Sequence, residues 1–262
     1  MNESNNRDME SANFYLDLLK NIQSAWKSHY WIYIEIIKKM RPDTIVELGT
    51  DRGFSLLAAM FALSRNKIDG KVYAIDAWGK NDNDKSVMIT GESRYEKLKN
   101  EIIPQFTKKY KLSENKHELV REYFSDAQSR FDSIDLLHID GNHTYEDCKR
   151  DYEEFKDKVD LKKGCIIFHD IARGKTGTRK EHFGVYRLFN EIDHKKLYFL
   201  QHSGLGIVSD NENLLNYIED ICTKMITPVI KKNPERLLLE ITDQWKIQHI
   251  TNRDNIDESE LY

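Results

Sequence analysis

The densest chemistry in the chain lies in "LHIDGNHTYEDCKRDYEEF", residues 137–155, where His138, Asp140 and His143 follow an apolar run. A second apolar run, "GCIIFHD", ends on His169 and Asp170. Carboxylates and imidazoles so spaced serve one of three ends: holding a metal, taking a proton, or capping a helix. The imidazole of His143, three residues beyond Asp140, suits a general base. Asp140 is the other candidate base, and spacing does not rank the two. His138 shares a strand face with Asp140 by period-two alternation and reads as a buried, satisfied histidine. His169 points to the face opposite Asp170 and is either structural or at the border of a pocket. Glu146, Asp147, Asp151, Glu153 and Glu154 mix with Lys149 and Arg150 as on a solvated helix, and no chemistry is assigned to them.

A glycine turn offers a second site. "VELGTDRGFS" places Gly49, Thr50 and Gly53 between an apolar run and a helical pattern, with Glu47 just ahead. Glycine lets the backbone turn tightly and approach a ligand closely. The spacing is G-x-x-x-G and not the dinucleotide fingerprint G-x-G-x-x-G. Glu47 would repel a pyrophosphate and attract a cation bearing an amino group. S-adenosylmethionine, with a sulfonium and no phosphate, meets that description. Asp76, ending "KVYAID", is placed to accept hydrogen bonds from ribose hydroxyls. Ala77 and Trp78 then lie beside the adenine ring.

These residues need elements to position them. Short apolar runs at 44–48, 71–76, 134–140 and 164–170, with a weaker one near Val120, read as strands. Helical spacing fills residues 55–64, 95–110 and 144–158. Strands separated by helices of this length imply right-handed crossovers and a parallel sheet covered on both faces. The fold class is therefore α/β, an open sheet whose ligands bind beyond the carboxyl ends of the strands. Glu47, Asp76, Asp140 and Asp170 all fall there. One such acid can be a helix cap; four on successive strands point to a site. Before this core, residues 13–40 carry apolar positions at helical spacing (Phe14, Leu18, Ile22, Trp26), and Pro42 ends them. After it, "LYFLQHSGLGIVSD" reads as a hairpin at a sheet edge. Residues 211–262 read as one or two helices with a polar tail from Thr251. The organisation expected is a helical extension over 1–40, a domain over 41–210 and a helical extension over 211–262.

Forty basic against forty-four acidic residues leave a net charge of −4, too balanced for nucleic acid or a membrane surface as the main partner. No run of about 18 apolar residues would span a bilayer, and "MNESNNRDMES" lacks a signal pattern. Cys148, Cys165 and Cys222 are far apart, without CxxC spacing, which fits a reducing cytoplasm.

The motifs "VELGTDRGFS", "YAIDAW", "SIDLLHIDGNHTYEDCKRDYEEF", "GCIIFHDI", "HFGVYRLFNEI" and "SGLGIV", in that order over residues 28–209, resemble class I S-adenosylmethionine-dependent methyltransferases. The likeness is to a bacterial subgroup found in polysaccharide-building loci. It implies a Rossmann-like, mostly parallel seven-stranded sheet with an antiparallel last strand. It implies O-methylation of a sugar or glycan precursor. It also implies cofactor contacts at Glu47, Gly49, Thr50, Gly53, Asp76, Ala77, Trp78 and Asp140. Metal-using O-methyltransferases are similar in placing acids where Asp140 and Asp170 stand, and two carboxylates about 4.8 Å apart suit Mg²⁺. Their third oxygen ligand follows the second acid, where this chain has Ile171.

The basic, glycine-bearing stretch 172–184 reads either as a solvated loop or as a cover over an anionic acceptor. Leu237 to Leu239 and Trp245 cover the core or join two copies of the chain. Two rival functions remain: a metal-dependent hydrolase using the His and Asp set, and a non-catalytic S-adenosylmethionine-binding module.

Overall fold

A computed structural model of the chain describes residues 3–80, 83, 85–172, 184–199, 203–232 and 247–250. Five strands, β1 (Thr44–Leu48), β2 (Lys71–Ile75), β3 (His117–Val120), β4 (Leu136–Ile139) and β5 (Cys165–His169), pair in parallel. Strands β6 (Lys196–Phe199) and β7 (Leu205–Val208) form the antiparallel hairpin, and β7 also runs antiparallel to β5. The order β3-β2-β1-β4-β5-β7-β6 is the seven-stranded, mostly parallel sheet expected. An eighth strand, β8 (Ile247–Ile250), adds antiparallel to β6, so the hairpin is not the sheet's edge. The region from residue 211 was expected to be helical only.

Helices α1 (Glu3–Asn21) and α2 (Tyr30–Met40) precede the sheet, and α3 (Phe54–Arg65) follows β1. Next come α4 (Lys85–Lys97) and α5 (Ile103–Tyr110), joined by a π-helical turn, then α6 (Phe124–Ala127). The series ends with α7 (Tyr145–Phe155), α8 (Val185–Glu191) and α9 (Glu212–Lys232). Alternation along the strands splits the core into two clusters. Ile45, Leu136 and Ile167 face α1, α2, α3 and α9, whereas Val46, Leu137 and Phe168 face α6, α7 and α8. Phe14 and Leu18 of α1 are wholly buried in the first cluster, so the N-terminal helices share the core of the sheet.

The ladders run one residue past the strands and set the acids in a row. Asp140 N–H donates to Leu48 O (2.8 Å), Asp76 N–H to Val120 O (3.1 Å) and Asp170 N–H to Gly204 O (3.0 Å). The stretch 173–183, the apolar positions 237–239 and 245, and the tail from Thr251 lie outside the described residues. No helix among the described residues is long and apolar enough to cross a membrane.

Candidate active site

A cleft of about 1650 Å³ opens above the carboxyl ends of β1, β2, β4 and β5. Of the residues expected there, Gly49, Thr50, Asp76, Ala77 and Trp78 line it, as do Asp140, His143 and Asp170. Gly49 adopts φ 93°, and a Cβ there would fall 2.1 Å from the Asp140 carbonyl oxygen, so only glycine lets the ends of β1 and β4 close up. Thr50 lines the cleft at 4% exposure, and its buried Oγ1 has no hydrogen-bond partner.

Glu47 is not at the cleft. It alternates onto the α2–α3 face, fully buried, where one oxygen accepts from Ser55 Oγ (2.6 Å) and the other has no partner. Burial pushes its carboxyl up to about 8, against the Ser55 hydrogen bond, with Asp140 and Asp76 adding to the rise. Burial thus favours its neutral form over the anion expected to attract a sulfonium. Asp76 is on the cleft wall, but its two oxygens accept from Trp78 N–H (2.7 Å) and Asp51 N–H (2.9 Å). It ties the end of β2 to the turn after β1. Trp78 (φ 43°) directs its indole N–H to Asp51 O (2.8 Å).

Asp140, His143 and Asp170 converge. His143 Nε2 lies 2.6 Å from Asp170 Oδ2 and 3.6 Å from Asp140 Oδ1. His169 Nδ1 lies 3.3 Å from Asp140 Oδ1 and 3.4 Å from Asp170 Oδ1. His169 therefore borders the cleft, settling the alternative left open by its strand face. Burial alone would lower both imidazoles, but the two carboxylates outweigh it and raise each to about 9. Burial would likewise raise the acids; the histidines reverse it and hold both well below the usual carboxylate range. His143 is set by Thr144, whose Oγ1 caps α7 by accepting from Asp147 N–H (3.1 Å). His138 is buried but not satisfied. Neither ring nitrogen has a partner, burial lowers it to about 4, and it meets Trp26 edge-on at 4.6 Å.

Three contributors escaped the sequence reading. Trp26 belongs to a 3-10 turn (Ala25–Ser28) capped by Ser24, whose Oγ accepts from the Trp26 backbone N–H (3.1 Å). Its indole Nε1–H donates to Asp140 Oδ2 (2.9 Å), and its ring stacks on His169 at 4.9 Å. Helix α4 brings Ser86, Thr90 and Arg94 to the rim, and Arg94 pairs with Asp51 (2.6 Å). Asp151, expected on a solvated face, is 2% exposed and lines the cleft. Its signal was present: with Cys148, Tyr152 and Phe155 it completes an i, i+3, i+4, i+7 face.

Residues 46–171, from β1 through the Asp170 turn, match the model of a methyltransferase domain. Over that stretch the chain is similar to a methyltransferase domain. Outside that domain lies Trp26, so part of the cleft wall comes from the helical extension before it. The uncharacterized protein y4gI of Sinorhizobium fredii is 30% identical over 191 residues, which cover 71% of this chain. The match covers 19% of that relative, so the chain spans about a fifth of its length. Among solved structures, the SAH-bound methyltransferase PaMTH1 of Podospora anserina aligns with a TM-score of 0.51 at 13% identity. That alignment covers 76% of this chain and 87% of the other. A protein of Corynebacterium glutamicum aligns equally well, with a TM-score of 0.51 at 11% identity over 78% and 90% of the two chains. At such identities the likeness is one of fold. The sheet order and the match to the methyltransferase model agree with it.

Proposed function

We propose that the chain transfers a methyl group from S-adenosylmethionine to a hydroxyl oxygen of a small sugar-like acceptor. The supporting observation is the half-buried imidazole of His143, held between two strand-end carboxylates on the wall that also carries the Gly49 turn. The cofactor, when bound, supplies an electrophilic methyl carbon on a sulfonium. The Gly49–Thr50 turn and the Asp76 wall, which line the cleft, fit it. The acceptor oxygen forms the new C–O bond as the S–CH₃ bond breaks, and its proton passes to the neutral fraction of His143, which grows as the pH rises toward about 9. Asp170 orients the ring and stabilises the imidazolium that results. Asp140, held far below the usual carboxylate range, is too weak a base for an alcohol, so His143 takes that role. Polar side chains lining the cleft (Gln23, Asn142, Ser203) suit a hydroxylated acceptor such as a glycan precursor.

Asp140, His143 and Asp170 offer ligand atoms within 4.8 Å of one another. Magnesium prefers oxygen ligands, yet these residues provide two carboxylates with a proton-holding imidazole between them, and Ile171 adds no oxygen. They fit an imidazolium-bridged acid pair better than a Mg²⁺ site. Calorimetric titration with MgCl₂ is expected to give no binding heat; micromolar affinity would assign the pair to a metal. The hydrolase reading loses His138, which lies in the core and away from the cleft.

The test of function combines calorimetry with S-adenosylhomocysteine and transfer of labelled methyl from S-adenosylmethionine to nucleotide sugars and glycan fragments. Binding with formation of an ether-linked label is expected. Absence of S-adenosylhomocysteine binding would end the reading, and binding without transfer to any acceptor would leave a binding module.

A further inference from the structure

The motif "HFGVYRLFNEI", residues 182–192, lies beyond the stretch matched to a methyltransferase domain, and none of its described residues lines the cleft. One of them nevertheless holds the backbone of His143. Gly184 N–H donates to His143 O (2.7 Å). The loop that carries His143 is fixed at its two ends by Asp140 N–H on Leu48 O (2.8 Å) and by the Thr144 cap of α7, and this third bond holds its middle. Gly184 has φ −117°, open to any residue, so space and not backbone angle calls for glycine. A Cβ there would fall 2.4 Å from Tyr145 Cβ and 2.5 Å from Tyr145 Cα and N, at the first residue of α7.

The donor rides on an element that belongs with Asp170. Helix α8 packs on β5 through Phe189, whose ring meets Phe168 edge-on at 5.9 Å, two residues before that acid. A Cβ on Gly206 of β7 would fall 2.5 Å from the same ring, so α8 is seated closely on the sheet. Lys196, at 4% exposure, donates to Phe189 O (2.8 Å) and Asn190 O (3.0 Å) and satisfies the carbonyl end of the helix. On the outer side, Arg187 lies over the Tyr145 ring (3.9 Å) and pairs with Glu191 (3.0 Å), which accepts from the Tyr145 hydroxyl. The His143 loop leaves β4, yet its middle is held from the β5 side, where the imidazole reaches Asp170 at 2.6 Å. We propose that Gly184 is a positioning residue for His143: seated through α8 on the strand that ends in Asp170, its N–H sets how near the imidazole comes to that acid. The proposal rests on the transfer reading given above, in which His143 takes the proton.

Kinetics of the full chain test it, with the nucleotide sugar or glycan fragment that takes up label from the wild-type protein as acceptor. In Gly184→Ala the new Cβ must push the start of α7 and the His143 loop aside. Its kcat is expected to fall about a hundredfold, the cost of a misplacement near 1 Å. KM and the calorimetric affinity for S-adenosylhomocysteine are expected to hold. Added to His143→Ala, the same substitution is expected to change kcat by less than about twofold, since no imidazole is left to misplace. Arg187→Gln loosens the clamp from its exposed side and leaves the packing of α8 in place. It is expected to lower kcat about threefold alone and not at all beside His143→Ala. This variant decides the matter if Gly184→Ala loses S-adenosylhomocysteine binding and so fails to fold. A folded Gly184→Ala protein with wild-type kcat, or equal losses with and without His143, overturns the proposal. In the fallback, an unchanged Arg187→Gln rate does the same. Absence of transfer by the wild-type chain to every acceptor would instead remove the transfer reading, and this inference with it.

Discussion

Two pairs of acids occupy equivalent places in this sheet and have opposite fates. Glu47, near the end of β1, and Asp76, just after β2, are turned inward or into local turns. Burial raises both carboxyls, and their partners are a serine hydroxyl and backbone N–H groups. Asp140 and Asp170, following β4 and β5, are as deeply set, yet both are held ionised because two imidazoles face them. Burial acts in the same sense on all four. What differs is whether a proton-binding partner stands opposite, and only the β4–β5 pair has one. A strand-end carboxylate is therefore a place for chemistry, and the residue opposite decides whether chemistry or architecture results.

The largest effect that separates the pairs is on turnover. His143→Ala is expected to lower kcat for methyl transfer by roughly 10²–10⁴, the usual worth of a positioned base. Affinity for S-adenosylhomocysteine, read by calorimetry, should stay the same. Because Asp140 and Asp170 raise His143 to about 9, the neutral base grows with pH, and wild-type kcat should climb until about pH 9. A flat pH profile, or a His143→Ala enzyme with wild-type kcat, would place the proton elsewhere.

On stability the two pairs should move in opposite directions. Glu47 titrates near 4.5 when unfolded and at about 8 when folded. Its protonated fold is favoured fully below the unfolded value, and that contribution is lost as pH rises through about 8. Glu47→Gln keeps the shape without the ionisation. It should match wild type at pH 4 and exceed it at pH 9, by on the order of a few kcal/mol in urea denaturation. Asp170→Asn removes a carboxylate held low by its histidines, whose contribution is present above the unfolded range. It should destabilise at pH 7 and much less in strong acid. The same sign for both variants at neutral pH would erase the distinction.

The positions of these acids were legible in the sequence because each follows an apolar run of strand length, and an open sheet then aligns the ends. Their charge states were not. Glu47 and Asp140 look alike as letters, and what separates them is a strand face and the residues across it. His138 and His169 were read from face alternation alone, which told inside from outside but not which imidazole would meet a carboxylate. Asp151 was hidden by the charges around it, although its helical spacing with Cys148, Tyr152 and Phe155 marked the buried face. The eighth strand lies in a stretch whose helical spacing said nothing of pairing with β6.

Trp26 tests the comparison from outside the matched domain. It stands 114 residues before Asp140 in sequence, and its apolar spacing with Ile22 and Leu18 gave it only a packing role. In the fold its N–H is the neutral donor that fixes Asp140 Oδ2 while Oδ1 faces the two histidines. Asp76 is also fixed by N–H donors, but these are backbone groups of Asp51 and Trp78, which no side-chain substitution removes. Trp26→Phe keeps a ring against His169 and deletes only the donor. A hydrogen bond to a charged group is worth about 1.5–3 kcal/mol. If most of it serves to hold Asp140 toward His143, kcat should fall about tenfold, while KM and the S-adenosylhomocysteine affinity stay unchanged. Trp26→Ala also loses the packing and should lower stability by about 3–5 kcal/mol, separating the two roles of the side chain. A Trp26→Phe protein with wild-type kcat would mean that Asp140, like Asp76, is held by its strand end alone.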